Sequence, residues 1–210
     1  MRATGWRGTL PWLGAAAACA AGAALLVASA AAGTDRRAVA LGRVASFAPH
    51  HDLWVRLLRG GLGRITIPFL LLVAAGALVW LARRRRWREA VVAAGVLVGA
   101  NGLVEAVKHG LVGIGAPVLS GHMALVVATG FAVVLATTTR WRRRAAVVAA
   151  AAVLATGVGV VVAAWHTAAE TAGPTLVAVA WVLACRPLLD APRRSVPRED
   201  ARPAGVGARS

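Results

Sequence analysis

The chain has 210 residues, of which 59% are hydrophobic and only 15% are charged, and its mean hydropathy is +0.68. A soluble domain usually carries about 25% charged residues, so the composition argues against a soluble class. The formal net charge of +16 would suit a nucleic-acid partner. The arginines, however, lie in clusters between long apolar runs, and this distribution indicates a membrane protein with no nucleic-acid partner.

Six apolar runs follow one another along the chain, each about 18–23 residues long. At 1.5 Å per residue this length is enough to cross a hydrocarbon core of about 30 Å. The runs cover residues 10–32, 65–82, 89–107, 121–139, 145–164 and 167–185. Because backbone amides in lipid must find partners within the chain, and the runs show no strand-like alternation, helices are predicted. The predicted fold is all-α, an integral membrane bundle of six transmembrane helices.

The segments between and beside the runs define the predicted domain organisation. Residues 1–32 are predicted to hold an N-terminal transmembrane helix, although the basic start and small residues also suit a cleaved signal peptide. The apolar stretch is longer than the usual 7–15 residues of a signal peptide, which favours a retained helix. Residues 33–64 are expected to form an external loop and residues 65–186 the core of the bundle. Residues 187–210, rich in Arg, Pro and Gly, are expected to form a disordered cytoplasmic tail.

Basic residues alternate along the chain in a way that predicts the orientation of the bundle. Arginine-bearing segments alternate with segments of little charge, so the positive-inside rule places both termini in the cytoplasm. The arginine-bearing segments are residues 2–7, 83–88, 140–144 and 186–209. The first external loop departs from this pattern, because it also carries several arginines. A single lysine beside so many arginines, with abundant Ala and Gly, is typical of a GC-rich bacterial genome. The expected location is a bacterial plasma membrane.

Polar side chains inside or beside apolar helices mark functional sites by default, because ionisable groups are costly at membrane depth. In this chain they are Asn101, Glu105 and Lys108 on one face of the third helix, Ser120-Gly121-His122 opening the fourth, and His166 and Glu170 opening the sixth. The 44 positions from 122 to 166 fit two spanning helices and a short turn. The chain therefore returns to the face that it left, and these groups are predicted to meet at the outer side.

These residues resemble the motifs of the type-2 phosphatidic acid phosphatase family, membrane relatives of the vanadium haloperoxidases. The family motifs are K-x6-R-P, P-S-G-H and S-R-x5-H-x3-D. Leu119-Ser120-Gly121-His122 matches the second motif in three of four positions. His166 and Glu170 match the H-x3-D half of the third motif with Glu for Asp, and Lys108 stands where the first begins. The resemblance covers roughly residues 40–185 and makes residues 65–186 a phosphatase-like core.

The resemblance implies a phosphatase that needs no metal or other cofactor. It would hydrolyse phosphate from a lipid phosphate or polyprenyl diphosphate at the outer leaflet, through a phosphohistidine intermediate. His166 would be the nucleophile, Glu170 would hold and stabilise its imidazole, and His122 would be the general acid. The phosphate would be bound by Lys108, Ser120 and Gly121.

Both phosphate-binding arginines of the family motifs are missing. Val160 stands at the arginine position of the last motif, preceded by Gly159 where the family has serine. Gly115, or Ala116 after a one-residue shift, stands at the arginine position of the first motif. Losing one preorganised donor typically costs about 10²–10³ in rate. The alternative is therefore a catalytically silent family member that binds lipid phosphate or acts as a structural or interaction protein in the membrane.

Other cations in the chain are candidates to replace the missing arginines. One hypothesis assigns this role to His109 or to the arginines of the external loop, which are Arg36, Arg37, Arg43, Arg56 and Arg59. Local structural roles also stay open for the site residues: a neutralising Glu105–Lys108 pair, a helix cap at Ser120, and interfacial histidines. A transporter that uses the polar face of the third helix is a further alternative.

Overall fold

The computed structural model describes residues 10–31, 65–109, 120–163 and 165–190. Within these ranges the chain forms six α-helices and no strand, which confirms the all-α prediction for the described part. The helices are α1 (Leu10–Ala31), α2 (Thr66–Arg83), α3 (Trp87–Lys108), α4 (Gly121–Ala136), α5 (Thr139–Val162) and α6 (Ala168–Asp190). The predicted external loop with its arginines, Gly115, Ala116 and residues 191–210 lie outside the described ranges.

Four of these helices, α2, α3, α5 and α6, are long and apolar enough to cross a membrane. The apolar part of α1 (Leu10–Leu26) and α4 fall short of that length. The 16 residues of α4 span about 24 Å at 1.5 Å per residue. The described residues therefore indicate a membrane protein with four candidate spans, where the sequence predicts six.

Helix α4 lies in the middle of the bundle, where it packs against α2, α3, α5 and α6. Eight of its 16 residues are buried, among them Ala124, Ala128 and Ala132. Such small residues let neighbouring helices approach closely. At Gly130, for example, an added Cβ would lie 3.0 Å from the Cβ of Ala149 in α5. The central position of α4 fixes its first residues relative to the other helices.

The arginine-rich turns gather at one end of the bundle. An apolar cluster there packs Leu81 of α2, Ala90 of α3, Leu135 of α4 and Cys185 of α6 together. At this end the guanidinium groups of three arginines lie over tryptophan rings. The distances from the arginine Cζ to the ring centroid are 4.6 Å for Arg84 and Trp80, 4.5 Å for Arg144 and Trp141, and 5.4 Å for Arg186 and Trp12. The last contact brings the start of α1 beside the end of α6. The C-terminus of α3 and the N-termini of α4 and α6 consequently meet at the opposite end.

Helix α6 extends further than the predicted core. It continues through Pro187 to Asp190, four residues beyond residue 186, and the side chains of Arg186 and Asp190 approach to 3.4 Å in its last turn. Cys185 in α6 and Cys19 in α1 are both free and partly buried.

Candidate functional site

The last turns of α3 present the polar face that the sequence predicts. The side-chain amide of Asn101 donates to the carbonyl of Leu97 in its own helix at 2.7 Å. The Nζ of Lys108 donates to the Oε1 of Glu105 at 2.7 Å, so the local pair considered from the sequence is present. The Oε2 of Glu105 also lies 3.7 Å from the Nε2 of His109. Lys108 therefore reaches the site as one member of an ion pair.

Ser120 links the start of α4 to the start of α6. It is the N-cap residue of α4, and its extended backbone (φ −78°, ψ 100°) marks the point at which the helix begins. Its backbone N–H donates to the carbonyl of Glu170 at 3.2 Å. The Ser120 side chain is fully buried and makes no cap hydrogen bond with α4. Ser120 thus fixes the backbone of the turn, and its hydroxyl does not have the capping role that the sequence left open.

Gly121 allows α3 and α4 to approach each other at the ion pair. A Cβ at this position would lie 3.1 Å from the Nζ of Lys108 and 3.2 Å from the Oε1 of Glu105. Both distances are tighter than ordinary van der Waals contact. The absence of a side chain at Gly121 therefore leaves space for the pair directly over the first turn of α4.

The two histidines lie on different helices at the same end of the bundle. His122 is the second residue of α4, and its ring centroid is 6.0 Å from that of Trp165, with the planes tilted by 45°. His166 precedes α6, and its Nδ1 lies 3.5 Å from the Oε2 of Glu170. The side chain of Glu170 is almost fully buried, whereas that of His166 is 19% exposed. A buried carboxylate therefore supports a partly accessible imidazole.

Glu170 also takes part in the cap of α6. Its Oε2 accepts the backbone N–H of Thr167 at 3.1 Å, while its own backbone N–H donates to the Oγ1 of Thr167 at 3.3 Å. This reciprocal arrangement is a capping box. This role was not predicted from the sequence, although the T-x-x-E spacing just before an apolar run is its usual signature. The capping box fixes the carboxylate beside His166.

Most of the polar side chains described above line one cavity of about 410 Å³. It is lined by Ile67, Asn101, Glu105, Lys108, Gly121, His122, Leu125 and His166. Of the predicted site residues, four line it, Glu170 contacts His166, and Ser120 is buried at the base of α4. The apolar lining residues were not predicted, because apolar side chains in a membrane helix give no local signal that they border a cavity.

Val160, which the resemblance aligns with the arginine of the last family motif, is fully buried in α5. Its carbonyl accepts the backbone N–H groups of Trp165 at 3.1 Å and of His166 at 3.4 Å. Val160 therefore shapes the turn that carries His166 but brings no charge to it.

A second cavity, of about 520 Å³, lies between α5 and α6 next to the site. Its lining is almost entirely apolar and includes Met123, Val162, Ala168 and Thr171, which are close in sequence to the site histidines and Glu170. It extends away from the site along α5 and α6 as far as Val153. We call this cavity the apolar groove.

Comparisons of the chain with protein-family models, with curated proteins and with solved structures found no match.

Proposed function

We propose that the chain is a membrane phosphatase that hydrolyses phosphate from a lipid phosphate or polyprenyl diphosphate through a phosphohistidine intermediate. The observation that carries the proposal is the 3.5 Å approach of the His166 Nδ1 to the buried carboxylate of Glu170, beside a cavity that His122 and Lys108 also line. A carboxylate at Nδ1 favours the tautomer with its proton on that nitrogen. The Nε2 atom is then the nucleophile.

In the first step, the His166 Nε2 attacks phosphorus, and the bond from phosphorus to the leaving oxygen breaks. His122 in its protonated form gives a proton to that oxygen, which leaves as an alcohol or as a phosphate. Glu170 stabilises the positive charge that develops on the His166 ring. In the second step, His122 takes a proton from water, the resulting hydroxyl attacks phosphorus, and the N–P bond breaks to release inorganic phosphate.

The phosphate oxygens are held by Lys108 and by the N-terminus of α4. A helix N-terminus favours anions, because its first N–H groups and its dipole point toward them. Gly121 and His122 open α4 and line the cavity, and the missing side chain of Gly121 allows the Nζ of Lys108 to lie close to the first turn of α4.

We propose that all six helices span a bacterial plasma membrane, with the arginine-rich end in the cytoplasm and the site at the outer leaflet. The clustering of arginines at one end supports this orientation. The apolar groove supports a lipid substrate, because it offers a path for an acyl or prenyl chain beside the phosphate.

A labelling experiment tests the orientation. In a protein with Cys19 and Cys185 changed to Ala, a single cysteine is introduced either at the exposed His109 or at the exposed Arg143. We expect a membrane-impermeant maleimide to label His109→Cys in intact cells and Arg143→Cys only after lysis. The reverse pattern would overturn the orientation.

The enzymatic proposal is tested with the protein purified in detergent. We expect release of phosphate from phosphatidic acid or undecaprenyl diphosphate, its loss in His166→Ala, and its retention in Glu89→Gln, a change at the opposite end of α3. Vanadate, which mimics pentacoordinate phosphorus, should inhibit the reaction and raise the temperature of unfolding. Equal phosphate release by the wild type and His166→Ala would exclude the proposed enzyme.

The second candidate function is a catalytically silent protein that binds lipid phosphate. It is favoured by Val160 at a motif arginine position and by the pairing of Lys108 with Glu105. Stabilisation by vanadate without any release of phosphate would support this candidate over the enzyme.

A further inference from the structure

The proposed phosphate site contains a carboxylate that the two-histidine mechanism does not use. Among the described residues that line the cavity, Lys108 carries the one permanent positive charge and Glu105 the one negative charge. Their Nζ and Oε1 atoms lie 2.7 Å apart. The pair thus contributes no net charge to a cavity proposed to hold an anion.

The location of the pair brings Glu105 close to the place where a phosphate would bind. Both charged atoms lie over the first turn of α4, since a Cβ on Gly121 would be 3.1 Å from one and 3.2 Å from the other. An anion that approaches Lys108 and the N-terminus of α4 must therefore approach the carboxylate as well. Glu105 is half-exposed, so solvent weakens this repulsion without abolishing it.

We propose that Glu105 determines the charge selectivity of the site: by pairing with Lys108, it makes the cavity favour phosphate groups of low charge over those of higher charge. This inference rests on the proposed phosphate site. Of the two substrate classes in question, it favours a lipid phosphate monoester, because a diphosphate carries more negative charge into the same cavity. Glu105 thus weakens the binding of the more highly charged substrate.

The charge of Glu105 should affect monoanions and dianions to different extents. The Coulomb energy between two groups is proportional to the charge on each. Removing the charge of Glu105 should therefore improve the binding of a dianion by the square of the factor for a monoanion. If Glu105 only positioned Lys108, its removal would instead weaken the binding of both anions. The direction of the change separates the two roles.

The test uses full-length protein in detergent with Glu105→Gln, which removes the charge and keeps the size of the side chain. Glu89→Gln is the matched control, since Glu89 makes an i,i+3 pair with Arg86, at 3.2 Å, at the other end of α3. The probes are dimethyl phosphate, a monoanion, and methyl phosphate, which is mostly a dianion at pH 8. Their affinities are measured by titration of the unfolding temperature.

For Glu105→Gln we expect the affinity to rise about threefold for dimethyl phosphate and about tenfold for methyl phosphate. Glu89→Gln should bind both as the wild type does, and Lys108→Gln added to Glu105→Gln should remove the gain. In turnover, Glu105→Gln should shift the preference from phosphatidic acid toward undecaprenyl diphosphate.

Unchanged or weaker binding by Glu105→Gln, or an equal gain for the two probes, would overturn the charge selectivity. Phosphate release that still depends on His166 would in that case leave the proposed function standing. Binding by Glu105→Gln alone would support the inference and favour a silent wild-type protein. Absence of binding in the wild type and in the variant would overturn the inference together with the proposed phosphate site.

Discussion

The Nδ1 atom of His166 lies 3.5 Å from the Oε2 atom of Glu170, and this same oxygen accepts the backbone N–H of Thr167 at 3.1 Å. One carboxylate oxygen therefore contributes both to the cap of α6 and to the support of the imidazole. Because the cap joins the side chains of Thr167 and Glu170 to each other's backbone N–H groups, the position of the Glu170 carboxylate is set by the start of the helix. His166 precedes that helix by two residues and faces a carboxylate that cannot move without uncapping it.

Substitutions at this pair should separate capping from catalysis. Glutamine also completes a capping box, so Glu170→Gln should preserve most of the stability while losing about 10⁴ in turnover, as expected when a histidine loses its orienting carboxylate. Thr167→Ala removes the Oγ1 acceptor and should cost about 0.5–2 kcal/mol of stability, with turnover per folded molecule kept. Thermal unfolding and phosphate release measure the two effects. Full turnover by Glu170→Gln would show that the carboxylate serves α6 alone.

Filling the apolar groove should weaken the binding of long-chain substrates. Ala172 lines the groove in α6, so Ala172→Phe, which places a phenyl ring in the groove, should raise KM for a long-chain lipid phosphate at least about tenfold, the effect of even one methylene in an apolar pocket. A short-chain lipid phosphate should be unaffected. Ala184→Phe is the matched control, because Ala184 lies on the same helix but borders a different cavity, between α1, α3 and α6. An equal rise in KM for long-chain and short-chain lipid phosphates would show that the groove does not bind the substrate chain.

Packing between α3 and α6 should depend on the absence of a side chain at Gly99. A Cβ there would overlap the indole of Trp181, whose Nε1 donates to the carbonyl of Gly95 at 3.0 Å. Gly99→Ala should therefore destabilise the bundle by about 1–3 kcal/mol, the usual cost of overpacking. Gly102→Ala, in the same helix, should not, because its Cβ meets nothing within 4 Å. Thermal unfolding of the two variants in detergent measures the difference, and equal stabilities would contradict the contact.

The turn between α2 and α3 contains a strained arginine. Arg85 has a φ of 54°, and the N–H groups of Arg85 and Arg86 donate to the carbonyls of Ala82 and Leu81. This is a Schellman cap, in which glycine is the usual residue at the left-handed position. Arg85→Gly should therefore stabilise the protein by about 1 kcal/mol. Arg85→Ala loses the same charge but keeps the Cβ, so it should give no gain in the unfolding temperature. Equal changes in the unfolding temperature of Arg85→Gly and Arg85→Ala would show that the loss of the arginine charge, and not the backbone conformation, causes the change.

The helices could be predicted from the sequence because their physical cause is local. Each apolar run must satisfy its own backbone hydrogen bonds in lipid, so the run defines the helix. The described helices accordingly overlap the six runs, from α1 at Leu10–Ala31 to α6 at Ala168–Asp190, although α5 begins at Thr139, six residues before its predicted run. The number of helices also explains why His122 and His166 lie at the same end of the bundle, because two helices, α4 and α5, lie between them in the chain. Details of the ends were less predictable, as the continuation of α6 through Pro187 shows.

The sequence by itself thus determined the helices and the set of polar residues at one end of the bundle. Only the tertiary structure decided how those residues are arranged. It pairs Lys108 with Glu105 over Gly121, adds Ile67 and Leu125 to the cavity wall, and opens an apolar groove between α5 and α6. The reason is that a helix follows from short-range hydrogen bonding, whereas the distance between side chains on different helices depends on how α2, α3, α5 and α6 pack against α4.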